Sequence, residues 1–328
     1  MINKLFFSVL SAVLFNVQAF AQVQDYVPSN LLMLDSVFNH HVLLVEKSTH
    51  TLSVYENDKG APKLVQKFKI ASGKNKGDKG REGDRKTPEG IYTLTEFLSD
   101  TVLKQRHGDM AKMYGVGAFT TDYPNLMDQR AQKTGSGIWL HSTDDATRID
   151  KGLDSRGCVV VNDFDLKQVS KYLDMGNTQI IIVQDVHYLA RSTWERNRNE
   201  LAKVIDDWGQ AWKEKRFNDY ISHYHQTLFR DRSKGSYPAY KAYKQAVFSR
   251  PDNPSIGIDA VSGLVAEDYA VVTLRQDYRS AVINDTGKKT LYLHKDENYD
   301  WKIVAELWEK APEKKDIAFT PAMRFFRE

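Results

Sequence analysis

The sequence is almost free of cysteine: Cys158 is the only one among its 328 residues. A single cysteine excludes a disulfide within the chain, so no disulfide framework holds the fold. It also leaves Cys158 as the only side chain that can act as a sulfur nucleophile. The position of this one thiol is therefore informative.

The sequence also lacks a strong excess of charge of either sign. Its 46 Lys and Arg residues and 43 Asp and Glu residues give a net charge of +3. There is no basic stripe with interleaved aromatic residues, so we predict no nucleic-acid partner. The hydrophobic and charged fractions, 41% and 27%, are ordinary for a soluble globular protein. The length allows about two domains.

Long apolar runs are missing except at the N-terminus. There Lys4 precedes an apolar stretch at residues 5–17, and a small-x-small sequence ends at Ala21. This pattern predicts a secretory signal peptide at residues 1–21, cleaved after Ala21. The stretch is too short to cross a bilayer core of about 30 Å, and no cysteine follows it, so we expect an exported protein without a membrane anchor. An unpaired thiol is a liability in an oxidising compartment, which favours a chemical role for Cys158.

Two polar residues in the middle of the chain stand at the ends of short apolar runs. His141 follows the run 138–140, and Cys158 follows Ser-Arg-Gly and precedes the run 159–161. A thiol reacts as its thiolate, and we expect the nearby imidazole to lower the pKa of Cys158. Gly157 would let the chain turn sharply and leave backbone N–H groups facing a developing oxyanion. The alternative is a buried core cysteine, which is common when valines follow a lone cysteine.

Before this stretch, the sequence predicts an arm and a series of strands. Residues 22–39 contain an apolar cluster, and we interpret them as a helix or arm that packs on the strands after it. Residues 71–86 are rich in glycine and charge but lack the order of a phosphate-binding loop, which favours an exposed mobile loop. Residues 96–136 predict a loop-rich insertion with a short helix near 100–107. The predicted strands are 41–46, 51–55, 64–70 and 91–95, and the aromatic residues that could line a pocket in the insertion are Tyr114, Phe119 and Tyr123.

After this stretch, the sequence predicts a last helix and strand of the first domain and then a second domain. Asp163 is placed to cap a helix over residues 164–174, and a strand over 178–183 follows. An apolar stripe at helical spacing predicts a long helix over 190–215, which continues at 217–229. Helices followed by antiparallel strands indicate an α+β architecture. The predicted strands are 256–265, 269–283, 290–295 and 301–307.

The order of these features resembles the L,D-transpeptidase catalytic domain, also called the YkuD domain. The resemblance rests on His141, a Ser-x-Gly-Cys sequence ending at Cys158, an apolar run, and Asn162. Upstream, a strand ending in Ser-Gly, a charged loop and Thr-Pro-x-Gly at residues 87–90 extend it. The resemblance implies a mostly β catalytic domain, a β-sandwich with short helices.

The resemblance also implies a role for each residue of the motif. Cys158 matches the nucleophile, His141 matches the base, and Ser142 matches the residue that orients the imidazole. Gly157 and the Cys158 amide match the oxyanion-binding region. The remaining positions, assigned to substrate binding, are Ser155 and Asn162.

Two positions depart from the family pattern. Arg156 stands where relatives often have histidine, and Val160 stands where they often have arginine. A guanidinium can hold a carboxylate through two parallel hydrogen bonds. We therefore predict that Arg156 binds the terminal carboxylate of a substrate. The alternative is an ion pair with Asp154 or another acidic neighbour.

The second half of the chain, at about residues 200–310, resembles the nuclear transport factor 2-like fold. That fold hosts both binding and catalysis, and we expect this domain to position substrate. Beyond it, residues 325–326 are two phenylalanines that we expect to dock. The predicted organisation is a signal peptide at 1–21, an arm at 22–39, the YkuD-like catalytic domain at 40–185, a linker helix at 186–200, the nuclear transport factor 2-like domain at 201–310 and a tail at 311–328.

This architecture resembles that of periplasmic L,D-carboxypeptidases that set cell shape. The resemblance implies that the chain removes terminal D-alanine from tetrapeptide stems of peptidoglycan through a cysteine thioester, without a metal or organic cofactor. A second hypothesis is an L,D-transpeptidase that cross-links stems or attaches or releases wall-bound lipoprotein. A third is an inactive wall-binding scaffold. Wall-associated proteins would then be partners of the C-terminal domain.

Overall fold

The computed structural model describes residues 25–310 and 319–326. The predicted signal peptide, the start of the arm and part of the tail lie outside these residues. Within them, no helix has the length and apolar character needed to cross a membrane.

The described residues form strands β1 to β19 and helices α1 to α7. The strands are β1 Tyr26–Pro28, β2 Leu31–Met33, β3 His41–Glu46, β4 Thr51–Asp58, β5 Ala61–Lys69, β6 Ser72–Gly73, β7 Gly90–Ser99, β8 Gly117–Thr121, β9 Trp139–Thr143, β10 Leu153–Ser155, β11 Val159–Asn162, β12 Gln179–Val183, β13 Tyr188–Ala190, β14 Arg230–Asp231, β15 Gly235–Ser236, β16 Ser255–Val265, β17 Tyr269–Arg279, β18 Asn284–Lys295 and β19 Trp301–Lys310. The helices are α1 Asp100–His107, α2 Leu126–Arg130, α3 Ala146–Lys151, α4 Asp163–Ser170, α5 Arg191–Lys213, α6 Phe217–Ser222 and α7 Tyr237–Phe248, with a 3₁₀ helix at Gly108–Tyr114.

The first domain is built on an eight-stranded sheet in the order β11-β9-β8-β7-β12-β3-β4-β5. The pairs β11–β9 and β12–β3 are parallel, and the other neighbours are antiparallel. Side chains alternate between the two faces of a strand. Leu43 and Val45 of β3 therefore enter the core of the first domain, while Val42 and Leu44 face the opposite way. This confirms the strand-rich first domain predicted from the sequence.

The opposite face of β3 packs against the second domain. Val42 and Leu44 share one buried apolar cluster with Leu264, Val271 and Val304 of the second sheet. The two domains are therefore joined by a hydrophobic core, and separating them would expose it to water.

The predicted arm is extended, and it connects the two domains. Strand β2 adds to the edge of the five-stranded antiparallel sheet, whose order is β19-β18-β17-β16-β2. Strand β1 pairs with β13, just before α5. Because Leu31 and Leu32 are buried in this position, the apolar cluster of the arm serves as a strand and not as a helix.

Helices α5, α6 and α7 cover the second sheet and complete the α+β domain. Helix α5 buries Leu201, Ile205, Trp208 and Trp212 on one side, as the apolar stripe predicts. It begins at residue 191, so the predicted linker helix is the start of α5 and not a separate element. The helix predicted over 217–229 ends at residue 222. Helix α7 was not predicted, because its tyrosine-rich sequence does not show a clear apolar stripe.

Two further expectations in the first domain are corrected. The segment 96–136 contains the short helix expected at 100–107, but it also supplies β8, an interior strand of the sheet. Helix α4 ends at residue 170, earlier than predicted, and Phe164 is 68% exposed and takes no part in the core. The C-terminal docking is confirmed, because Phe325 and Phe326 both contact the ring of Phe97.

Candidate active site

Cys158 and His141 lie on one face of the eight-stranded sheet. Strands β9 and β11 are parallel neighbours, and Val160 lies directly opposite His141. Cys158 is two residues before Val160, so it points to the same face, about 7 Å along the strand from His141. The structure thus places the two residues that the sequence pairs on the same face of neighbouring strands.

The thiol of Cys158 is neutral in the resting site. The residue is half-buried, and its Sγ donates to the carbonyl of Gly137 at 3.3 Å. Burial raises the pKa of Cys158 to about 11, although the backbone of Trp139 and the charges of Arg148 and Lys79 act to lower it. The expected lowering of this pKa by the imidazole is therefore wrong for the resting site. Proton removal must accompany attack on a substrate.

His141 is a neutral imidazole whose Nδ1 is already hydrogen-bonded. Its Nδ1 lies 2.9 Å from the carbonyl oxygen of Ser142. Because a carbonyl only accepts, Nδ1 carries the proton and Nε2 keeps its lone pair. Burial lowers the pKa of His141 to about 4. The ring is thus in the form that can accept a proton, and the edge-on ring of Tyr114, 5.1 Å away between centroids, limits its rotation.

Ser142 orients the imidazole through its carbonyl, while its hydroxyl serves the neighbouring segment. The Oγ atom accepts from the Val116 N–H at 2.9 Å. Gly115 fits tightly here, since a Cβ at that position would lie 2.3 Å from Ser142 Oγ. This contact holds the segment that presents Tyr114 to His141.

The loop before the nucleophile is closed by Ser155. Its hydroxyl accepts from the Gly157 N–H at 3.0 Å and donates to the Cys158 carbonyl at 2.6 Å. The Gly157 N–H is therefore not free to face an oxyanion, which corrects that expectation. The Cys158 N–H is the backbone donor that remains beside the sulfur. Ser155 therefore acts as an internal brace of this loop.

Gly157 is required for its backbone conformation and for space. Its φ is +136°, and a Cβ would lie 2.8 Å from both the Lys86 carbonyl and Ile138 Cδ1. We predict that Gly157→Ala lowers the free energy of unfolding by about 1–3 kcal/mol and reduces turnover further by moving Cys158. Chemical denaturation and a turnover assay measure the two effects. Gly176→Ala is the control, because Gly176 has φ +81° but open space around it. Equal losses in the two variants would contradict the role of the clash.

Arg156 and Asn162, both assigned to substrate binding from the sequence, have different surroundings in the structure. Arg156 is exposed, and its guanidinium makes no ion pair within residues 25–310 and 319–326. The alternative pairing with Asp154 is wrong, because Asp154 binds Arg148. Asn162 is the N-cap of α4: its Oδ1 accepts from the Asp165 N–H at 2.7 Å. Asn162 therefore takes the capping role predicted for Asp163, and both polar atoms of its side-chain amide bind Asp165.

Arg148 is a site residue that sequence reasoning missed. Its Nε donates to Asp154 Oδ2 at 2.7 Å and its Nη1 to the Met113 carbonyl at 3.1 Å. Both side chains are largely buried, at 17% and 16% exposure. Arg148 thus ties the segment leading to Tyr114 to the strand leading to Cys158. One feature of the sequence could have indicated this residue. Arg148 stands between His141 and Cys158, six residues before the carboxylate of Asp154.

Three aromatic residues border the pair. The rings of His107, Tyr114 and Trp139 contact one another, and Tyr114 also contacts His141. Of the three aromatic residues considered for a pocket, only Tyr114 lies here. Phe119 and Tyr123 are buried in the core of the first domain.

The resting protonation state has a measurable consequence. We predict that iodoacetamide alkylates Cys158 at pH 7 about 20-fold more slowly than a free thiol of pKa about 8.5, since the lower thiolate fraction outweighs the higher nucleophilicity. The rate should rise with pH towards the pKa of about 11. Mass spectrometry of the modified protein gives the rate, and the same protein in denaturant is the control. A native rate equal to the denatured one would contradict the buried neutral thiol.

A thiol and an imidazole so placed in a strand-rich domain define a class, the enzymes that act through a cysteine nucleophile. The family follows from comparison. Residues 40–182 match the L,D-transpeptidase catalytic domain, YkuD, and residues 200–307 match the Cds6 C-terminal NTF2-like domain. The chain belongs to the YkuD family of L,D-transpeptidase catalytic domains and carries a C-terminal NTF2-like domain.

Solved structures show the same two-domain arrangement. The Bdellovibrio bacteriovorus protein Bd1075 is 32% identical with a TM-score of 0.76, covering 88% of this chain and 100% of its own. The helical cell shape determining protein Pgp2 from Campylobacter jejuni is 26% identical with a TM-score of 0.66, covering 85% of this chain and 95% of its own. A comparison with curated proteins gave no match.

Proposed function

We propose that this protein is a peptidoglycan L,D-carboxypeptidase that removes terminal D-alanine from tetrapeptide stems. The observation that carries the proposal is the placement of Cys158 and His141 on neighbouring parallel strands of a YkuD domain. The geometry also argues against an inactive scaffold, because the thiol, the neutral imidazole and the brace at Ser155 are all intact.

The chemistry follows from the protonation states. As Cys158 Sγ attacks the carbonyl of the L-centre of diaminopimelate, His141 Nε2 accepts the thiol proton. The Cys158 N–H faces the developing oxyanion. The carbon–nitrogen bond breaks, the amine of D-alanine takes the proton from His141, and a thioester remains. Water then attacks the thioester with His141 as base, the carboxylic acid forms, and the proton returns to sulfur.

Hydrolysis is distinguished from transfer by the products. Purified full-length protein incubated with disaccharide tetrapeptide should release D-alanine and disaccharide tripeptide, both identified by mass. In water enriched in ¹⁸O the new tripeptide carboxylate should carry one heavy oxygen. Cross-linked dimers without tripeptide would favour the alternative, an L,D-transpeptidase.

Arg156 provides a test of the carboxypeptidase hypothesis. Its exposed guanidinium lies two residues before Cys158, and it can receive the free carboxylate of the terminal D-alanine. We predict that Arg156→Gln raises KM for tetrapeptide about tenfold or more, since a charge-assisted contact is worth about 1.5–3 kcal/mol. Arg156→Lys should keep part of the affinity through its charge. Steady-state kinetics on tetrapeptide measures both.

The control for Arg156 is Arg232→Gln, which removes an exposed arginine from the second domain. It should leave KM unchanged. If Arg156→Gln has the KM and kcat of the unmodified protein, Arg156 does not bind the carboxylate, and the residue-level support for carboxypeptidase over transpeptidase is lost.

The place of action and the biological role follow from the substrate. Peptidoglycan and the predicted export signal both suggest a periplasmic enzyme. Similarity to Pgp2, a helical cell shape determining protein, supports a role in cell shape. We infer that trimming of stems changes which cross-links the wall can form.

The second domain is proposed to position the enzyme on the wall. Its interior holds Glu306, which accepts from the Tyr240 hydroxyl at 2.7 Å and pairs with the largely buried Lys289. Buried charges are costly unless paired, and such a polar interior suits a ligand. Because the two domains share an apolar core, this role is best tested in the full chain. Lys289→Met with Glu306→Gln removes both charges of the pair, so that neither is left buried alone. It should reduce binding to isolated sacculi while leaving cleavage of small stems unchanged.

A further inference from the structure

A strongly basic loop lies beside the candidate nucleophile. Residues 74–86, here called the cationic loop, carry six Lys and Arg residues and three Asp and Glu residues, a net charge of +3. The whole chain has the same net charge. The excess positive charge of the protein is therefore equal to the charge of this one loop.

One buried ion pair organises the cationic loop. Lys79 is 3% exposed and donates to Asp84 Oδ1 at 2.8 Å. The same carboxylate accepts the backbone N–H groups of Gly80, Arg81 and Lys86, and together these contacts lower the pKa of Asp84 against the effect of burial. The loop is thus a defined structure, which corrects the expectation of a mobile loop.

The other cations of the cationic loop are left for solvent or a ligand. They form no ion pair with any carboxylate in the described parts of the chain, and three of them line a cavity of about 790 Å³. The two carboxylates that also line it, Asp78 and Asp84, are already paired with Lys133 and Lys79. Arg85 has φ +56°, a left-handed conformation that places this arginine at a turn. The five cations are Lys74, Lys76, Arg81, Arg85 and Lys86.

The cationic loop touches the strand and turn that carry Cys158. The Lys74 N–H donates to the Ser155 carbonyl at 2.9 Å. At the other end of the loop, the Lys86 carbonyl lies against Gly157, where it is the atom that a Cβ would meet. Both ends of the cationic loop therefore contact the residues that precede the nucleophile, next to Arg156 in the sequence.

We propose that the cationic loop is a carboxylate-binding subsite that selects peptide stems by their free side carboxylates, apart from the terminal carboxylate of D-alanine. This inference rests on the proposed function and specifies its substrate. A tetrapeptide stem carries free carboxylates on its D-glutamate and on the side chain of diaminopimelate. Arginine binds carboxylates through a planar fork, and a cavity lined by several cations can hold more than one. Stems whose side carboxylates are amidated lack this charge and are poor ligands.

Binding without turnover tests the inference. Full-length Cys158→Ala protein is titrated calorimetrically with synthetic tetrapeptide in the free-acid form and in a form with both side carboxylates amidated. The free acid should bind at least tenfold more tightly. Adding Arg81→Gln and Arg85→Gln should remove that difference and leave the Kd of the amidated peptide unchanged. Equal Kd values for the two peptides in the protein with the intact loop would overturn the proposal.

Two controls keep the result specific. Arg232→Gln with Lys241→Gln removes the same charge from the second domain and should not change either Kd. Arg81→Lys with Arg85→Lys keeps the charge and should retain part of the preference, and it replaces the glutamine pair if that pair unfolds. If the peptide preference persists in a folded glutamine variant, or if inorganic phosphate competes as well as the free-acid peptide, the loop is a general anion surface and the proposal is wrong. Failure of the unmodified protein to cleave tetrapeptide would instead reject the proposed function.

Discussion

Replacement of Cys158 by alanine should abolish turnover and leave the fold unchanged. Cys158 is the only thiol, and it stands on the same sheet face as the neutral His141. Members of a nucleophile–base pair fail together, so a loss of about 10⁴-fold or more in kcat is expected. Release of D-alanine from tetrapeptide measures kcat, and thermal unfolding reports the fold.

The control for this prediction separates chemistry from packing. Cys158→Ser keeps the shape of the side chain and a hydroxyl in place of the thiol, and it should be nearly as inactive, because a hydroxyl is a far weaker nucleophile at this pH. Both variants should unfold at the temperature of the unmodified protein, since Cys158 is only half-buried. Cleavage by a folded alanine variant at more than a hundredth of the original rate would remove Cys158 from the mechanism.

The pairing of Cys158 with His141 could be predicted from the sequence because both residues stand in a motif that resembles a known catalytic domain. The apolar runs alone would not align the two residues, because His141 follows its run and Cys158 precedes its own; the order of residues in the family motif is what pairs them. In the structure they lie near each other because β9 continues through His141 to Thr143 and aligns His141 with Val160. The protonation states could not be predicted in this way. They depend on how deeply the sheet and the segment carrying Tyr114 bury the pair, and burial reverses the expected shift of the Cys158 pKa.

The roles of the polar residues around the pair were harder to predict for a different reason. Ser155 and Asn162 were assigned to substrate because they stand at ordered positions of a motif. In the structure their side chains satisfy nearby backbone groups: Ser155 closes the loop over Gly157 and Cys158, and Asn162 caps α4. A short polar side chain beside a turn or a helix start commonly does this, and sequence position alone does not separate the two roles.

The domain organisation includes contacts that the spacing of apolar residues within a segment cannot predict. The long helix and the four strands of the second domain could be predicted from their apolar spacing. The place of the arm could not, because β2 pairs with β16, more than 200 residues away in the sequence. The apolar cluster that Val42 shares with Leu264 could not be predicted either. Both faces of β3 are apolar, and the sequence does not say which domain each face contacts.

Loss of the Arg148 side chain should have the second large effect. Arg148→Met removes the partner of Asp154 and leaves a largely buried carboxylate unpaired. Breaking such a pair from one side costs about 3–5 kcal/mol. The substitution also removes the hydrogen bond to the Met113 carbonyl. The segment that packs Tyr114 against His141 is then held less firmly. We expect a lower free energy of unfolding and a lower kcat, and a rise in the pKa of Cys158, since the Arg148 charge acts to lower it.

Three variants distinguish the contributions of Arg148. Arg106→Gln is the matched control, because Arg106 pairs with Glu96 at 3.1 Å with both side chains about half exposed; exposed pairs are worth about 0–1 kcal/mol. Arg148→Lys keeps the charge but loses the fork, so it should keep the pKa of Cys158 near that of the unmodified protein while losing part of the stability. Arg148→Met with Asp154→Leu removes both charges and should recover much of the stability but not the thiol pKa. Denaturant unfolding and the pH dependence of alkylation give the two quantities. If Arg148→Met unfolds at the same denaturant concentration as Arg106→Gln, the pair does not hold the site together.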